Sequence, residues 1–227
     1  MAVGRADGLR WTALGTQLCE RALASVDDHA LADASALSGW SRAHLVAHLD
    51  GNARALTNLV TWARTGVETP MYSSMTQRDA DIATGAMLPP GELRDRFAES
   101  HSILADGMAQ LSEQAWGADV RTIQGRTISA SDIPWLRSRE VMVHAVDLLG
   151  GVTFDDLPDD FLVALIDDVA ARRGTLDNQP ALALVAAGRR WEVAGAGAPV
   201  AVSGSLAQVA SYLTGREPLG PDQPAWL

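Results

Sequence analysis

Between Leu9 and Gly151 apolar residues mark four separate runs, three at helical spacing and a fourth apolar nearly throughout, and that repetition leaves few folds open. Leu9, Leu14, Leu18 and Leu23 mark the first run; Leu45, Leu49, Leu56, Leu59 and Val60 mark the second. The third carries Leu93, Phe97, Leu104, Met108 and Leu111, and the fourth Val141, Val143, Val146, Leu148 and Leu149. An apolar stripe with this period must be buried against another element, and four such helices with short connections satisfy one another as a bundle. The punctuation agrees. Ser41 can cap a long helix reaching Thr65 with Gly66 as its stop, and Pro89-Pro90-Gly91 precedes a helix from about Glu92 to Leu111. The outer helices read as Leu9 to Val26 and, after Pro134, a run ending at Gly150-Gly151. Residues 71 to 86 read as a short, partly helical connection, and Val120 to Ile128 as two short strands around Gln124-Gly125.

The pattern changes after Gly151. A helix from Pro158 to Arg173 precedes three β-like runs, Ala181 to Ala187, Arg190 to Ala194 and Pro199 to Val202. Gly188, Gly195 and Gly197 separate them in the manner of hairpin turns, and Ser203 or Ser205 can cap a last helix from Leu206 to Thr214, closed by Gly215. The expected class is α+β: a four-helix bundle over residues 1–151 and a smaller α+β domain over residues 152–227.

Composition excludes several functions. No run of about 18 uncharged apolar residues is present to cross a membrane, and the first residues lack a basic region followed by an apolar stretch, so a cytoplasmic protein is expected. The formal net charge is −10 with no basic cluster, which argues against nucleic-acid binding. All 18 basic residues are arginine, which with the heavy use of alanine hints at a GC-rich genome of the actinobacterial kind. The one cysteine, Cys19, permits neither an internal disulfide nor a cysteine-rich zinc site, and in an amphipathic run without a nearby histidine it reads as an inert thiol.

Chemistry concentrates in the second and fourth helices. Glu140 and His144 are four residues apart, as are His44 and His48, so each pair projects from one helical face. Inward-facing Glu and His on opposed bundle helices are how such bundles hold a metal. Spacing alone favours the plainer reading, a surface ion pair worth a few tenths of a kcal/mol or a hydrogen-bonded core histidine. His29 and His101 read as exposed. Arg78 and Arg216, both read as lying outside regular helices, are candidate partners for a carboxylate because the guanidinium fork matches it bidentately.

The stretches Gly39-Trp-Ser-Arg-Ala-His-Leu-Val-Ala-His-Leu49 and Ile133-Pro-Trp-Leu-Arg-Ser-Arg-Glu-Val-Met-Val-His-Ala-Val-Asp147, with Pro70-Met-Tyr-Ser73 and Leu213-Thr-Gly-Arg216, carry a resemblance. The chain resembles the mycothiol-dependent maleylpyruvate isomerase family, whose bundle belongs to the DinB-like superfamily of metalloenzymes. The resemblance implies His48, Glu140 and His144 as ligands of Zn2+ or another divalent ion, with His44 outside the set. It implies mycothiol as the cofactor, held by the metal as a thiolate. The thiolate adds to the cis double bond of maleylpyruvate, the resulting single bond rotates, and elimination leaves fumarylpyruvate. Arg216, from the small domain, is implied as the catalytic clamp on a substrate carboxylate, and Arg78 as a second, cofactor-binding clamp. The same likeness admits a mycothiol S-transferase acting on another electrophile, or a metal-binding bundle without catalysis. Expected partners are a small carboxylate substrate and a low-molecular-weight thiol, with monomer and homodimer both open.

Overall fold

The computed structural model describes residues 3–176 and 179–221, which divide into one compact unit spanning Val3–Val152 and a second beginning at Thr153. The first holds the expected four long helices: α1 (Arg5–Ala24), α2 (Arg42–Thr65), α4 (Pro90–Ala109) and α6 (Ile133–Asp147). Leu45, Leu49, Leu56, Leu59, Leu93, Phe97, Leu104 and Met142 are buried completely or nearly so and form its core. Ser41 caps α2 by accepting the His44 N–H, and Gly66, at φ +71°, ends it in the left-handed conformation that a β-carbon disfavours. A short helix α5 (Glu113–Trp116) leads into an antiparallel pair, β1 (Asp119–Arg121) and β2 (Thr127–Ser129), as the alternation around Gly125 suggested.

α1 lies against α6 closely enough that Gly15 is required. A β-carbon there would fall 2.5 Å from Val141 Cγ2 and 3.0 Å from the Met142 backbone nitrogen. Gly15→Ala is therefore expected to destabilise the protein by about 1–3 kcal/mol, the usual cost of overpacking, because this outweighs the gain of at most about 1 kcal/mol in helix propensity. A urea titration reads the sign, and a higher midpoint for the variant would refute the close contact.

Residues 71 to 86 depart from expectation. They hold a full helix, α3 (Met75–Gly85), capped by Ser74, which accepts the Gln77 N–H. Among its residues Ile82 and Gly85 are the buried ones, so it writes no stripe; Gly85 lets it rest on Ala47 of α2, 2.9 Å from where a β-carbon would stand. Arg78 consequently lies on a helix, not in a loop.

The second unit contains α7 (Asp159–Arg173), β3 (Pro180–Ala186), β4 (Arg189–Val193), β5 (Ala196–Ser203) and α8 (Leu206–Leu213). β3 and β4 form the expected hairpin around Ala187-Gly188. The next turn is not a hairpin: β5 pairs in parallel with the other edge of β3, giving the order β4-β3-β5. Gly195 lets the chain cross under the start of β3, since a β-carbon there would lie 2.4 Å from the Gln179 carbonyl oxygen. Ser205 and Gln208 cap α8 reciprocally. No helix among the described residues is long and apolar enough to cross a membrane.

Candidate metal centre

His48 stands in the second turn of α2, and Glu140 and His144 lie one turn apart on α6. His48 Nε2 is 2.9 Å from Glu140 Oε2, and His144 Nε2 is 3.4 Å from the same oxygen. One donor atom from each of the three side chains falls within 4.8 Å of the others. The rings are 5.1 Å apart and nearly perpendicular, and both are buried. Trp40 stands edge-on to His48 at 5.5 Å.

Neighbouring side chains orient this triad. His144 Nδ1 bonds to Asp147 Oδ2 at 2.7 Å, with neither side chain appreciably exposed. That bond orients the ring so that Nε2 faces Glu140, where it makes no well-formed hydrogen bond among the described residues. A buried nitrogen left so costs about 1–3 kcal/mol unless it gains a partner. Two imidazoles and one carboxylate, one imidazole with its Nε2 already turned toward the others, are a donor set that suits zinc.

Arg137 ties the two helices together beside the triad. Fully buried, its Nη1 donates to Leu49 O and to Asn52 Oδ1 on α2, both at 2.8 Å. Leu49 follows His48, and Arg137 precedes Glu140 by one turn, so this clamp sets the separation of the two sides of the site. From α3, Arg78 reaches His48 Nδ1 with Nη2 at 3.3 Å and pairs with Asp79 at 2.8 Å. Because Arg78 can only donate, His48 Nε2 here carries the proton offered to Glu140. Ligation through Nε2 calls for that proton on Nδ1, with Arg78 left to Asp79.

Burial disfavours the charged form of all three ligands, and their partners decide the outcome. His48 is held below the usual imidazole range by desolvation. Glu140 is shielded as well, yet the neighbouring His144 and His48 hold it well below the ordinary carboxylate range. His144 is raised, since Asp147 and Glu140 outweigh its desolvation. Glu140 and His144 are thus drawn toward their charged forms and His48 toward its neutral form, and a proton held by His144 must leave before an ion can take its Nε2. Metal affinity is expected to rise with pH from about pH 6, just below the ordinary imidazole value, up to the raised pKa of His144, with about one proton released per ion, and to level off above it. Competition against a chelator of known affinity checks this; an affinity flat over that range would contradict it.

The remaining candidates separate from this cluster. His44 bonds to Ser41 Oγ through Nδ1 at 2.7 Å and belongs to the helix cap. His101 is not exposed as expected: it is half-buried, meets Thr16 Oγ1 at 3.0 Å, and burial pushes it down to about 4. Cys19 is wholly buried, donates to the Val141 carbonyl at 3.0 Å, and is pushed up to about 12 by desolvation. Arg216 belongs to the second unit, just past α8, where its guanidinium donates to Thr214 O. A cavity of about 530 Å³ opens between α2, α3 and residues 70–73, with Arg78 in its wall.

Residues 12–149 match the family described as mycothiol maleylpyruvate isomerase N-terminal domain. No curated protein is significantly similar to the chain in sequence. The chain superposes on the crystal structure of the mycothiol-dependent maleylpyruvate isomerase with a TM-score of 0.94 and 38% identity, over 99% of its own length and 98% of that chain. A histidine-to-alanine mutant of the mycothiol-dependent maleylpyruvate isomerase matches to the same extent. With well over half of its length inside the family's domain and a DinB-like bundle presenting a buried His-Glu-His cluster, the chain belongs to the mycothiol maleylpyruvate isomerase family.

Proposed function

We propose that the protein converts maleylpyruvate to fumarylpyruvate with zinc and mycothiol, in the cytoplasm of an actinobacterium. The observation that carries this is the convergence of His48, Glu140 and His144, with His144 Nε2 facing the other two and without a hydrogen-bond partner among the described residues. Family membership supports the reaction class. A divalent ion in the site supplies the Lewis acidity that keeps a thiol ionised near neutral pH.

The rest is the work of the chain. His48, Glu140 and His144 would hold the ion, and three protein ligands are the composition of a catalytic rather than a structural zinc site. Asp147 fixes the tautomer and ring plane of His144. Cys19, buried and held as the thiol, cannot serve as nucleophile, so the thiol must come from outside. Isomerisation then requires a carbon–sulfur bond to form as the double bond opens and its electron pair moves onto the conjugated carbonyl, the resulting single bond to rotate, and the carbon–sulfur bond to break as the double bond re-forms and the thiolate leaves. Arg216 takes a substrate carboxylate and Arg78 takes the cofactor, both through guanidinium donors.

The test is turnover of maleylpyruvate by the zinc-loaded protein. Fumarylpyruvate is expected to form with mycothiol present and not without it. Equal rates with glutathione would overturn the cofactor assignment, and consumption of the substrate into a stable thioether would make the protein a transferase.

A further inference from the structure

We propose that the cavity between α2, α3 and residues 70–73 receives the polyhydroxylated half of the thiol cofactor, the glucosaminyl-inositol that mycothiol carries on its N-acetylcysteine. This rests on the reading above that mycothiol is the thiol used. The cavity's volume, about 530 Å³, is that of a small-molecule site. Arg78 is its common wall with the metal centre: it lines the cavity and touches His48.

The charges in the wall are already paired. Asp50, 4% exposed, accepts from Arg54 Nε at 2.8 Å on one oxygen and from Arg96 Nε at 3.2 Å on the other. Arg54 also meets Glu99, and Arg78 pairs with Asp79. Every guanidinium of the wall therefore has a carboxylate partner, and a dianion would have to compete with carboxylates already in place. What the wall offers is the set of N–H groups that those pairs leave over, the second lone pairs of Asp50, and the Asn58 amide, whose Nδ2 is fixed on the Pro70 carbonyl at 3.0 Å. A hydroxyl both donates and accepts, and neighbouring hydroxyls of a neutral polyol match such alternating donors and acceptors. A dicarboxylate does not, since it only accepts.

N-acetylglucosaminyl-inositol, which has no sulfur for the metal, is the probe, titrated calorimetrically into the zinc-loaded protein. It is expected to bind. Arg96→Ala and Asn58→Ala, on different helices and both away from the core, should each weaken it by about tenfold, the loss of one hydrogen bond involving a charged or well-fixed group. The same variants should raise KM for mycothiol and leave kcat and zinc affinity unchanged. Failure of the probe to bind, binding indifferent to both variants, or its displacement by maleate would overturn the assignment. A protein that binds the probe in this way but does not isomerise maleylpyruvate with mycothiol would refute the proposed reaction and leave the polyol site standing.

Discussion

A His48→Ala protein is expected to lose its metal on dialysis, and its isomerase activity with it. His48 supplies the whole contribution of α2 to the site; without it Glu140 and His144 remain, two ligands from adjacent turns of one helix. Zinc sites with a full ligand set are worth about 10–16 kcal/mol, so one ligand of such a set carries on the order of 3–4 kcal/mol, a few hundredfold to a thousandfold in affinity. The bundle itself should persist, because its core is carried by residues such as Leu45, Leu56, Phe97 and Leu104. Metal content measured after dialysis, together with a far-ultraviolet dichroism spectrum, separates loss of metal from loss of fold. A variant that folds and retains one tightly held ion would remove His48 from the site.

Arg137→Met is expected to act in the opposite sense on stability and on metal affinity. Its Nη1 holds Leu49 and Asn52, but Nε and Nη2 make no hydrogen bond among the described residues, although the side chain is fully buried. Each unsatisfied buried donor costs about 1–3 kcal/mol, and apolar replacements of buried charges are often neutral or stabilising by about 1–4 kcal/mol. Loss of the clamp nonetheless frees α2 to shift against α6 beside His48 and Glu140, and removing a supporting contact of a metal site costs about 10–100-fold in affinity. The variant should therefore melt no lower than the parent while binding zinc more weakly by about that factor. A lower melting temperature with unchanged zinc affinity would show that Arg137 serves the fold and not the site.

How much of this was legible before the structure follows from where the information lies. α1, α2 and α4 bury an apolar face and so write a period of three and four residues into the chain, while α6 is buried nearly all round and reads as an apolar run. α3 was missed as a full helix because its buried residues, Ile82 and Gly85, form no stripe. The second strand connection was misread because glycine marks a turn without telling which edge of a sheet the chain takes next. Gly195 answers to crowding by Gln179 and Pro180, a tertiary fact. In the site, Glu140 and His144 were visible as a spaced pair, and the likeness to a known family added His48. Asp147 could have been suspected from its position three residues after His144. Arg137 and Asp50 could not be read as buried, since their burial depends on partners from other helices, and the half-burial of His101 depends on Thr16 of α1.

Cobalt(II), placed in the site as a coloured stand-in for zinc, tests most directly whether the His-Glu-His cluster is a metal centre that takes up a thiol. Its visible absorption should report a low-coordinate site, and mycothiol should add a sulfur-to-cobalt charge-transfer band that is absent in Glu140→Gln and His48→Ala proteins. A spectrum of fully hydrated cobalt, or one that mycothiol leaves unchanged in the parent protein, would contradict the account.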